Sequence, residues 1–79
     1  DRKMDELMEL LEEIAPDVDF ATETRLIDDK VLDSFSIVSL VAQLADTFDI
    51  EISPKYLVPE NFNSAQAMWK MIQTIQEGD

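Results

Sequence analysis

The side chains that could do chemistry in this chain are few in type. Its 79 residues contain no cysteine and no histidine, which removes a thiol nucleophile, thiolate metal sites, the usual general base and the commonest zinc ligand. Carboxylates, hydroxyls and a few lysines remain. The most pointed arrangement is Asp33-Ser34, where an acidic, irregular stretch gives way to an apolar one. A serine hydroxyl at a helix start suits attachment of a phosphate or phosphodiester, because free amides and the positive end of the helix dipole favour the added negative charge. The plain alternative is a helix cap, with Asp33 or Ser34 accepting from backbone N–H groups. Asp33 would oppose a phosphate's charge, so in a modification site it needs a second task, such as capping or helping a modifying enzyme hold a metal ion.

Other groupings carry less. Asp17, Asp19, Glu23, Asp28 and Asp29 suggest calcium, but an EF-hand loop needs spaced oxygen ligands, a central glycine and a closing glutamate. Counted from Asp17, those three requirements meet Ala21, Thr22 and Asp28. A solvated acidic loop without a metal site is expected. Nothing in the sequence gathers two carboxylates into a sheltered cleft, so a glycosidase-like or aspartic dyad has no support. No catalytic residue is expected, and the chain does not read as an enzyme. Met4, Met8, Met68 and Met71 fall on apolar stripes and read as core, as does Trp69.

These side chains must be positioned by one domain spanning residues 1–79. An apolar content of 46% argues against disorder, while a core of this size supplies on the order of 3 to 5 kcal/mol of net stability. Eighteen acids against six bases give a net charge of −12, unsuited to nucleic-acid phosphates or anionic membranes. A basic partner fits better. Apolar runs are too short to span a membrane and no signal-peptide succession is present, so no membrane insertion and a cytoplasmic location are expected.

Met4, Leu7, Met8, Leu11 and Ile14 share one face of a first helix, opposite Asp5, Glu6, Glu9, Glu12 and Glu13, and Pro16 ends it. Residues 17–33 keep no period, yet Phe20, Leu26, Ile27, Val31 and Leu32 predict a long loop that lies on the core. The second helix runs from Ser34 to about Phe48. Ile37, Leu40, Val41, Leu44 and Phe48 form one stripe, and Phe35, Val38, Ala42 and Ala45 form a second well around the axis. That second stripe is either a contact with another helix of the fold or a surface kept for a partner. Residues 49–54 alternate like a strand but have no second strand to pair with, which predicts an extended connector. A short helical turn is expected within 54–60. Asn63, with Gln66 three residues on, looks like the cap of a last helix carrying Ala65, Met68, Trp69, Met71, Ile72 and Ile75, with Gly78 past its end. The expected class is all-α, three main helices plus one short one around one core.

The run Val31-Leu32-Asp33-Ser34-Phe35, preceded by an acidic helix and long loop and followed by Phe48-Asp49-Ile50-Glu51-Ile52-Ser53-Pro54 and a terminal helix, resembles the acyl carrier protein family. The similarity covers Met4 to Ile75. It implies an acyl-carrier-protein-like four-helix bundle, monomeric, whose Ser34 is esterified with 4′-phosphopantetheine by a phosphopantetheinyl transferase. Asp33 matches the acid of the Asp-Ser motif, associated in such complexes with the transferase's metal site. An acyl or aminoacyl group would then ride as a thioester on the arm, loaded by a ligase and passed to synthases or transferases, in fatty acid or secondary metabolite biosynthesis. Phe35, Val38, Ser39, Ala42 and Asp46 match the face that family members present to their enzymes.

The sequence also departs from the family's fatty-acid carriers. Ser36, Ser39 and Ala45 stand where those carriers often have acids, so docking is expected to lean more on Phe35 and Val38 than on charge. The Gly-x-Asp-Ser opening is absent, and Val31-Leu32-Asp33-Ser34 is more similar to D-alanyl carrier proteins and dedicated secondary-pathway carriers. A D-alanyl carrier is therefore one alternative. An unmodified helical adaptor that binds a partner through Phe35, Val38 and Ala42 is another.

Overall fold

The computed structural model describes residues 2–78, with side-chain surroundings described for residues 3–78. It is an all-α bundle of four helices: α1 (Arg2–Ile14), α2 (Ser34–Phe48), α3 (Pro59–Phe62) and α4 (Ala65–Gln76), with a 3-10 turn at Pro54–Tyr56 ahead of α3. No strand occurs among the described residues. The alternating 49–54 segment is an extended connector, as an unpaired strand must be.

The helices form where the apolar period is strongest. On α1, Leu7 and Leu11 are buried, Met4, Met8 and Ile14 pack against the core, and the five acids of the other face are exposed. Leu10, outside the expected stripe, is also buried. On α2, Leu40, Leu44 and Phe48 are buried, and on α4 Ala65, Met68, Met71 and Ile72. These faces meet in one core, with α1 packed on both α2 and α4, and α3 packed on α4. Phe48 at the end of α2 meets Trp69 of α4, ring centroids 6.2 Å apart and tilted by 60°. All four methionines lie in or against this core, where their flexible thioethers fill irregular gaps.

The 15–33 segment is a chain of turns, and Phe20, Leu26 and Leu32 drive it onto the core. Ile27 is half-buried and Val31 lies at the surface. Lys30 adopts a left-handed backbone conformation, φ 57°. So does Asp49, φ 53°, at the end of α2, where its N–H and that of Ile50 both reach the Ala45 carbonyl. Aspartate tolerates this geometry better than most residues.

The α3–α4 junction differs from expectation. The cap of α4 is Ser64, whose Oγ accepts from the Ala67 N–H at 3.0 Å. Asn63 is engaged elsewhere: its Oδ1 accepts from the Ile27 N–H at 2.9 Å and the Asp28 N–H at 3.1 Å, and its amide donates to Asp28 Oδ2 at 3.2 Å. Between 54 and 62 the chain forms two short turns, and the second extends past Glu60 to Phe62. Each begins with a proline, which needs no N–H partner in a first turn.

Candidate functional site

Ser34 and Asp33 lie at the start of α2, and the structure divides their tasks. Asp33 is the cap: its backbone is extended and its Oδ1 accepts from the Ser36 N–H at 2.8 Å. That bond, more than any other cause, holds the Asp33 carboxyl below the usual aspartate range, because it favours the charged form. Ser34 is the first helical residue, exposed, with its hydroxyl outside the capping bond.

Ser34 does not stand on bare surface. Ser34 and Asp33 line a cavity of about 520 Å³ whose wall also includes Lys30, Leu32, Ile27, Ile37 and Val38. The last three also line a neighbouring cavity of about 420 Å³. There Ile37, Val38 and Val41 of α2 face Leu57, Val58, Pro59 and Phe62, with Ile27 contributed by the loop. Every lining residue of this second cavity is apolar. Ser34 thus stands at the mouth of a trench that turns apolar as it runs between α2 and the 57–62 segment.

The other residues singled out on α2 lie beside that trench. Phe35 is 84% exposed and Val38 71%, and Ala42 and Asp46 are exposed further along. Of the second stripe, Phe35, Val38 and Ala42 are therefore left uncovered by the described residues, while Ala45 is half-buried. Ser39 is half-buried, and its Oγ accepts from Gln43 Nε2 at 3.2 Å. With Phe35 and Ser36 it borders a cleft of about 410 Å³ against Glu13 and Ile14 at the end of α1.

Two neighbours of the site were not visible in the sequence. Lys30 is the one basic residue lining any of these three cavities, and no periodic or motif signal marks it. Asn63, through Ile27, holds one wall of the trench. Its nearest sequence signal, a cap-like position before an apolar run, belongs to Ser64. Among the described residues, no group of three or more acids, histidines or cysteines is arranged to hold a metal ion, and Asp29 is instead paired with Arg25 at 3.1 Å.

Comparison with family models, curated proteins and solved structures gives no match. No helix of the described residues is long and apolar enough to cross a membrane.

Proposed function

We propose that the chain is a carrier protein that holds an acyl group as a thioester on a 4′-phosphopantetheine arm attached to Ser34, and presents it to other enzymes. The observation that carries this proposal is the placement of Ser34. Ser34 is exposed at the N-terminus of a 15-residue helix, relieved of capping by Asp33, and it lines a trench with an apolar end. An arm with a phosphodiester fits such a start, since helix N-termini favour anions. The residues that would hold it are Ser34, through its oxygen, with Lys30 as the nearby cation of the same cavity. When bound, the arm supplies the thiol that a chain without cysteine lacks.

The apolar cavity supports an acyl cargo with an alkyl chain over a small aminoacyl group such as D-alanyl, because burial of methylene groups is favourable where no polar partner is needed. The chain itself does no chemistry on the cargo. Its partners are a phosphopantetheinyl transferase, a loading ligase and a downstream synthase or transferase. These would meet Phe35 and Val38 with apolar surface and the acidic remainder of the domain with basic surface. Transfer of the arm from coenzyme A to Ser34, followed by intact mass, tests the proposal.

The exposed Phe35 and Val38 favour one second reading, an unmodified adaptor that binds a partner through Phe35, Val38 and Ala42. Ser34→Ala separates the two, since it removes attachment and leaves that strip in place.

A further inference from the structure

Asn63 connects two parts of the chain far apart in sequence. Its backbone carbonyl accepts from the Leu26 N–H at 2.9 Å. Its side-chain carbonyl accepts from Ile27 at 2.9 Å and Asp28 at 3.1 Å, and its amide donates to Asp28 Oδ2 at 3.2 Å. Three consecutive loop residues are thus tied to one residue of the α3–α4 junction. Leu26 is fully buried and its carbonyl accepts from the Leu32 N–H at 3.0 Å, which carries the constraint along the loop toward Asp33.

The place of this tie matters more than the number of its bonds. Ile27, whose N–H it holds, is shared by the Ser34 cavity and the apolar cavity beyond it. Phe62, the residue before Asn63, lines the apolar cavity from the other side and is itself buried. One asparagine side chain therefore fixes the spacing of two walls of the same cavity. Of the other lining residues, Ile37 and Val41 of helix α2 pack against the core, while Val38, Leu57, Val58 and Pro59 are exposed along the outer rim.

We propose that Asn63 is a specificity-determining residue, acting through position rather than contact: by tying the 26–28 loop to the α3–α4 junction it fixes the gap between Ile27 and Phe62, and so limits the length of alkyl chain the cavity shelters. This rests on the carrier function proposed above. Side chains in a close-packed core do not spread freely to admit extra methylenes. With the tie in place, chain beyond the cavity's capacity stays in water. Without it, the loop that carries Ile27 is held by fewer bonds and the cavity extends.

The test loads wild type, Asn63→Ala and Asp28→Ala with butyryl, octanoyl and dodecanoyl pantetheine arms, using the corresponding acyl-coenzyme A and a broad-specificity transferase. Mass confirms each adduct and thermal melting reads the stabilisation that each chain gives relative to the arm alone. In wild type, stabilisation should rise with chain length and then level off. In Asn63→Ala the levelling should shift to longer chains. Asp28→Ala, which removes only one of the bonds, guards against loss of folding in the first variant and should shift it less.

A uniformly lower melting temperature with an unchanged chain-length profile in both variants would overturn the proposal and leave the carrier function standing. Absence of any adduct on folded wild type, beside a competent control carrier, would overturn both. A purely structural asparagine lowers every melt alike and does not move the profile.

Discussion

Asp33 Oδ1 accepts the Ser36 N–H at 2.8 Å, and this bond allows Ser34 to stand at a helix start without serving as its cap. In an Asp-Ser pair either side chain can cap. Here the acid takes the task, and the hydroxyl of the following residue stays at the surface.

A pH effect follows, and its sign is fixed. The Asp33 carboxyl sits below its usual value chiefly because of the Ser36 N–H, so the folded state favours the charged form. The cap's contribution is complete above the ordinary aspartate range and is lost as pH falls through the lowered folded-state value. The Ser36 amide resonance should therefore titrate below the ordinary aspartate range. In Asp33→Asn, where an amide oxygen caps without ionising, that titration should vanish.

Charge should also act on the whole domain. At a net charge of −12 self-repulsion opposes the compact state, and salt screens it. Melting temperature is expected to rise with sodium chloride and more steeply with magnesium chloride. The Arg25–Asp29 pair is exposed on both sides and should not reverse that trend. A melt insensitive to both salts would show that repulsion is unimportant here.

The core is small enough for one truncation to be decisive. Leu40 is fully buried, and Leu→Ala at such a site costs about 2 to 5 kcal/mol. The whole domain has on the order of 3 to 5 kcal/mol to lose. Leu40→Ala should be largely unfolded at room temperature by circular dichroism.

Val38 offers the contrasting case. At 71% exposure, Val38→Asp should change stability by no more than about 0.5 kcal/mol. If the exposed strip docks the transferase, the same change should raise the transferase's apparent KM on the order of tenfold with little change in kcat. Unchanged kinetics would remove Val38 from the docking surface.

Much of this molecule is legible in its sequence because the helical period is strong. Leu7 and Leu11, Leu40 and Leu44, and Met68 and Ile72 are buried where their spacing puts them. The loop's apolar residues also foretold that it lies on the core. The α3–α4 junction departs from its sequence pattern for a physical reason. Asn63 and Ser64 are both good caps, and only tertiary structure shows that Asn63 is engaged by Ile27 and Asp28, leaving Ser64 to cap α4. The trench was not legible at all, since Ile27, Val38 and Phe62 come from three segments with no common period. For the second stripe of α2 the sequence left two possibilities, and the structure leaves Phe35, Val38 and Ala42 exposed while half-burying Ala45.

The central claim is attachment at Ser34, and the most direct measurement is intact mass after incubation with coenzyme A, magnesium and a broad-specificity phosphopantetheinyl transferase, with peptide mapping. One phosphopantetheine adduct is expected on Ser34 and none on a folded Ser34→Ala protein. An unmodified wild type, folded and tested beside a carrier that accepts the arm, would contradict it, and so would an adduct that persists in Ser34→Ala.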